Sequence, residues 1–145
     1  MKVSTPLILL LISGLIMSCD KSTVDRNPYL TEISFEYPIN LNLPQYDNLR
    51  FSGGTQYIAQ GGIRGLLVFN LNDQFMAWEA SCPNHAPNDC STMEIVGVLS
   101  KCNCEDYEYS LATGQILTDS SSDTKLYTLL NYRAQKNGNT IVISN

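Results

Sequence analysis

From Glu32 to Leu43 the stretch "EISFEYPINLNL" sets Ile33, Phe35, Tyr37, Ile39, Leu41 and Leu43 against Glu32, Ser34, Glu36, Asn40 and Asn42. A period of two buries one face of a strand. Pro38 has no N–H for a ladder, so the strand belongs at a sheet edge or breaks there. Residues 57–59 give a further short strand, Gly61 and Gly62 a turn, and residues 66–71 and 75–79 two strands around Asn72 and Asp73. Two β-rich runs joined by such a pair read as a hairpin. The pattern returns at the end of the chain, with a strand over 126–133, the turn "KNGN" and a last strand over 140–144. Asn137-Gly138 is the strongest short hairpin signal present. Only "LPQYDNL" suits a single helical turn, and no internal repeat is visible. The expectation is an all-β domain of short antiparallel strands, a sandwich or small barrel.

The N-terminus follows another pattern: Lys2, an apolar run over 3–17, then Ser18 and Cys19. The run is too short to be read as a membrane span. With "IMSC" as its lipobox it resembles a bacterial lipoprotein signal. That resemblance implies cleavage before Cys19 and acylation of Cys19, and several acyl chains anchor a protein stably without a transmembrane helix. The alternative is an ordinary secretory peptide with an incidental cysteine; both take the chain out of the cytoplasm. The organisation expected is therefore a signal peptide over 1–18, a lipidated polar tether over 19–29 ("DKSTVDRNPY" has no apolar period), and one β domain over 30–145. The place expected is the cell envelope, lipid-anchored to the inner or outer membrane of a bacterium. Removing Lys2 leaves 8 basic against 14 acidic residues, so the net charge goes from −5 to −6. An acidic body argues against nucleic acid and leaves attachment to the lipid rather than to the protein surface.

Between the hairpins, "SCPNHAPNDCSTMEIVGVLSKCNCEDYEYSLATG" holds four of the five cysteines and the single histidine. The spacing is Cys82-x2-His85, sixteen residues, then Cys102-x2-Glu105, with Cys90 and Cys104 beside the two halves. Two Cys/His loops separated by a hairpin's length resemble the Rieske iron–sulfur domain, in which two cysteines hold one iron and two histidines the other. "GLLVFNLNDQFMAWEASCPNH" resembles its strand, turn, strand and first ligand loop. "CNCEDYEYSLATGQIL" resembles the second loop, with Cys102, Cys104, Tyr109 and the Thr113-Gly114 turn at matching positions, and "LYTLLNYRAQKNGNTIVI" resembles the closing hairpin. The resemblance covers most of the chain from about residue 55 onward. It implies a Rieske-like antiparallel sandwich or small barrel with a two-loop, cysteine-rich tip.

The departures bear on function. Glu105 stands where the second histidine ligand is due, and Asn103, Asp106 and Tyr107 replace the loop's proline, glycine and serine. His85 follows Cys82 by one residue too many. A carboxylate in place of an imidazole adds negative charge, which lowers the potential of any cluster held there. The resemblance also suggests a pairing for the sulfurs. Two cysteines that share one iron are close enough for a modest loop shift to join Cys82 to Cys102, and Cys90 and Cys104 match positions that are bridged in respiratory members. Four cysteines allow three pairings, so counting alone does not choose.

Three readings of this region stand side by side. In the first, the four cysteines form structural disulfides, no cofactor is bound, and the chain is a non-catalytic accessory or interaction module with an unknown envelope protein as partner. In the second, it is an electron-transfer protein with a [2Fe–2S] cluster. In the third, Cys82, His85, Cys102 and Glu105 hold zinc, or the thiols stay reactive. Trp78, Tyr107 and Tyr109 are expected in core packing rather than on a recognition surface. Gly53-Gly54 and Gly61-Gly62 lack the lysine and helix of a phosphate loop, and no Ser/His/Asp arrangement is apparent.

Overall fold

The computed structural model describes residues 26–118 and 125–145. The signal, Cys19 and the "DSSSD" run at 119–123 lie outside the described residues. Among the described residues nine strands follow in chain order: β1 (Glu36–Asn40), β2 (Thr55–Ile58), β3 (Leu66–Leu71), β4 (Gln74–Glu79), β5 (Glu94–Val96), β6 (Leu99–Lys101), β7 (Glu108–Ser110), β8 (Asn131–Asn137) and β9 (Thr140–Ser144), with a 3₁₀ turn at Pro44–Arg50. Six form one antiparallel sheet in the order β1-β9-β8-β4-β3-β2, and β5-β6-β7 form a second, smaller one.

The apolar run of β3 is explained by burial on both sides. Leu66 and Val68 point into one core with Ile39, Leu49, Ala77, Ile141 and Ile143. Leu67 and Phe69 point into another with Trp78, Cys82, Cys102, Tyr109 and Leu111. A strand covered on both faces has no polar alternation to show. This second core fastens the tip to the sheet, and Trp78 spans the junction by donating its indole N–H to the Leu111 carbonyl at 2.8 Å.

Pro38 does lie on an edge strand, opposite Val142. The strand around it is shorter than its alternation predicts: Ile33 precedes the first paired residue, Glu36, and is exposed, and Leu43 is exposed because the chain turns back at Asn40, whose carbonyl accepts from Leu43 N at 3.0 Å. The hairpin at Asn72 and Asp73 forms as expected, with both residues at positive φ (51° and 70°), as a type I′ turn requires. The closing strand differs. It begins at Asn131 rather than 126, because the segment before it turns to the tip: Leu129 N donates to Gly114 O at 2.9 Å and Tyr127 N to Asn84 Oδ1 at 2.6 Å, while Leu130 O still accepts from Glu79 N, at the end of β4, at 2.9 Å. It also ends at Asn137 rather than 133, two residues into the "KNGN" turn. Asn137 pairs with Thr140, so the loop is Gly138-Asn139, with Gly138 alone at positive φ (59°).

Candidate functional site

β4 leads straight into the first tip loop. Cys82 N donates to Ser91 O and Met93 N to Ala80 O, both at 2.8 Å, so residues 82–91 close on themselves. Inside the loop Asn88 acts as a local cap, its Oδ1 accepting from Cys90 N at 3.0 Å while its own N–H donates to Ser91 Oγ at 2.7 Å. The second loop leaves β6 and returns as β7, closed by Cys102 N donating to Tyr107 O at 2.8 Å. Its tight point is Asp106, at φ 58°. Aspartate tolerates the left-handed region better than most residues, so the loop keeps its bend where the resembled pattern has glycine.

The two loops are joined twice. Cys82 and Cys102 form one disulfide, with an S–S distance of 2.01 Å and Cα atoms 5.6 Å apart, and Cys90 and Cys104 form another, at 2.09 Å and 5.4 Å. The first is fully buried in the core; the second sits at the surface, with Cys90 exposed. Around the buried bridge, Glu105 Oε2 lies 2.9 Å and His85 Nε2 3.7 Å from Cys102 Sγ. His85 Nε2 and Glu105 Oε2 are 3.4 Å apart. His85 Nδ1 donates to the Ala86 carbonyl at 2.9 Å, which turns Nε2 toward the sulfur. One ligand atom each from Cys82, His85, Cys102, Cys104 and Glu105 lies within 4.8 Å of all the others. The structure thus brings together all four residues of the zinc reading and adds Cys104.

Three contributors carry no motif in the sequence. Asn84 donates from Nδ2 to Tyr109 Oη at 2.9 Å and to Tyr127 O at 3.1 Å, and its Oδ1 accepts from Tyr127 N at 2.6 Å. One side chain thereby ties the first loop to the second sheet and to the closing segment. Burial pushes the Tyr109 phenol up to about 12, although the bond from Asn84 pulls the other way. Asn88 is the second contributor. Glu79, fully buried at the exit of β4, is the third: it accepts from Ile63 N, Arg64 N, Ser81 N and Tyr132 Oη at 2.6–2.9 Å. Asparagine in a loop is a general turn signal, and nothing in a single sequence shows that Glu79 faces inward.

The donor set decides what the tip can hold. A Rieske [2Fe–2S] cluster takes two thiolates and two imidazoles. Here the sulfurs of Cys82 and Cys102 are bonded to each other, the chain has one histidine, and beside that bridge stands the Glu105 carboxylate rather than a second imidazole. The residues do not fit the cluster.

The architecture is that of a Rieske-like domain. Neither a protein-family model nor a curated protein sequence matches the chain. Among solved structures, it is similar to an oxygenase variant and ferredoxin complex of carbazole 1,9a-dioxygenase, with a TM-score of 0.50 and 17% identity over 74% of this chain and 28% of the other. It is similar also to a complex of reduced oxygenase and oxidized ferredoxin in carbazole 1,9a-dioxygenase (TM-score 0.47, 17% identity, 79% of this chain and 94% of the other). A ferredoxin from Sphingomonas yanoikuyae B1 follows, with a TM-score of 0.43 and 15% identity over 66% and 88% of the two chains.

Proposed function

We propose that this chain is a cell-envelope lipoprotein, anchored through Cys19, whose Rieske-like domain has lost its iron–sulfur cluster and serves a non-catalytic accessory or interaction role. The observation that carries the reading is the buried Cys82–Cys102 bond together with Glu105 at the ligand position. Both thiolates of one iron and one imidazole of the other are gone, and disulfides persist in the oxidising compartment that the "IMSC" signal implies. The bridges close loops with sequence separations of 20 and 14, and each contributes on the order of 3 kcal/mol in the chain-entropy view. They supply the rigidity that a metal centre would otherwise give the tip. A solved structure of similar fold is a complex of oxygenase with ferredoxin, which supports a protein partner docking on such a domain.

Protein purified without oxygen should contain no stoichiometric iron or acid-labile sulfide, and its four tip cysteines should give no free thiol in denaturant. Iron and sulfide near two atoms each per chain would overturn the proposal. The convergence of five ligand atoms within 4.8 Å favours a second reading for the reduced form. Tetrahedral zinc with bonds of about 2.0–2.3 Å needs ligands within about 4 Å of one another, a set more compact than the one spanning two irons. Zinc bound one to one only after reduction would support this.

A further inference from the structure

Two disulfides that share a tip do not have to react separately. Cys104 Sγ lies within 4.8 Å of the sulfurs of both Cys82 and Cys102, although its own bond is to Cys90. Cys90 stands outside that converging group and is exposed. Cys82 and Cys102 are shut off from solvent. A reductant therefore meets the outer bridge, and Cys104 is the sulfur that faces the inner one.

We propose that the tip is a disulfide relay, in which an external dithiol, small molecule or protein, reduces the buried Cys82–Cys102 bond through Cys104. The proposal rests on the disulfide reading above. In the first step a thiolate of the dithiol attacks Cys90 Sγ; the Cys90–Cys104 bond breaks and Cys104 leaves as thiolate. The dithiol's second sulfur then closes onto its first, releasing reduced Cys90 and the oxidised, cyclic dithiol. Next, Cys104 attacks Cys82 Sγ: a Cys82–Cys104 bond forms, Cys82–Cys102 breaks, and Cys102 departs as thiolate, to be protonated once the loops, no longer held by that bond, part to admit water. Finally Cys90 attacks Cys104, remaking the outer bridge and freeing Cys82. In sum one dithiol is oxidised, and its two electrons and two protons end on Cys82 and Cys102. The outer bridge is regenerated.

Attack falls on Cys82 because the Glu105 carboxylate, 2.9 Å from Cys102 Sγ, repels an incoming thiolate at that sulfur. Exchange of this kind passes through mixed disulfides, and its rate depends on which sulfur can be reached. Holding the attacking thiol inside the molecule replaces a collision by an effective concentration in the millimolar range or higher.

The test compares Cys90→Ala with Cys104→Ala in the mature chain. Both lack the outer bridge and are loosened alike, but only the first retains the relaying sulfur. Under dilute dithiothreitol, with alkylation and peptide mapping, Cys102 should become labelled at least about tenfold faster in Cys90→Ala than in Cys104→Ala. A Cys90→Ala/Cys104→Ala double variant should be as slow as Cys104→Ala. Equal rates in the two single variants would overturn the relay. An arm that needs no variant is acid quenching of the wild-type chain during partial reduction: a peptide cross-linked through Cys82 and Cys104 is expected, and its absence counts against the relay. Iron and labile sulfide measured on the same sample separate a failure of the relay from a failure of the cluster-loss reading.

Discussion

Glu79 sits at the exit of β4 with no solvent exposure, and everything around it is arranged to donate. Three backbone N–H groups and the Tyr132 hydroxyl point at its two oxygens, so it holds the 61–65 turn against the start of the first tip loop. The fit leaves no room for a neighbour's side chain: a Cβ on Gly62, which is at φ 64°, would lie 2.4 Å from Glu79 Oε2. Burial, the bond to Glu79 and its charge all raise the Tyr132 pKa. Glutamine at position 79 keeps the shape but turns an amide donor toward at least one backbone N–H, leaving it unsatisfied in the interior. Leaving buried groups of this kind unpaired costs about 1–3 kcal/mol, and more around a charge. Urea unfolding of Glu79→Gln should show a stability loss of about 3 kcal/mol, against about 1 for Tyr132→Phe, which removes a single donor. A loss for Glu79→Gln no larger than that for Tyr132→Phe would show that the carboxylate is not what holds the turn.

At the scale of elements, the junction between sheet and tip depends on Trp78 and the turn after β7. Gly114 takes φ 72°, and a Cβ there would lie 2.6 Å from the Trp78 ring, whose rigid plane is fixed by its bond to Leu111 O. Gly114→Ala therefore combines a disfavoured backbone conformation with overpacking against a ring that has nowhere to move, at a cost of about 2–3 kcal/mol. Differential scanning of the oxidised chain should show a larger drop in Tm for Gly114→Ala than for Gly97→Ala, since Gly97 shares the positive φ and its backbone cost but would meet nothing within 4 Å. Equal shifts would mean that the backbone alone, not the ring, sets the cost. This contrast also marks what could be read in advance. Strands with a buried face, the Asn72-Asp73 hairpin and the edge position of Pro38 were legible because each rests on local periodicity or turn chemistry. The late start of β8 was not: residues before Asn131 look like strand, but their backbone is claimed by Asn84 and Gly114, partners 15 to 43 positions away. β5 and β6 escaped for a similar reason, being three residues each, too short to show a period. The clustering of sulfur, imidazole and carboxylate groups at the tip was visible in the spacing, which left disulfides, zinc and a cluster open; the inward turn of Glu79 and the bracing by Asn84 are tertiary facts with no local signature.

For the whole molecule, the end by which it is anchored matters. β4 runs from the Asn72-Asp73 turn to the cysteine loops, and Lys136 pairs with Asp73, so the two hairpin turns share the end opposite the tip. The N-terminal segment belongs to the tip end: Asn27 donates from Nδ2 to Pro83 O at 2.7 Å, beside Cys82, and gathers Tyr29 N and Leu30 N onto its Oδ1. In the proposed lipoprotein, the eight peptide steps from Cys19 to Asn27 reach at most about 28 Å even when extended. On that proposal, a tether this short is expected to hold the disulfide tip toward the membrane and the hairpin turns away from it. Such an orientation would make the outer bridge available first to thiol proteins working at the bilayer surface. Lipidated protein in vesicles carrying a short-armed photoreactive headgroup should give cross-links mapping to 83–90 and 103–107, with few at 72–73 or 138–139. Inserting about ten Gly/Ser residues after Asp20 should spread the labelling over both ends, because a flexible tether of doubled length no longer fixes which end lies near the surface. Cross-links concentrated on the two hairpin turns in the unmodified chain would refute the tip-down arrangement, whatever the state of its sulfurs.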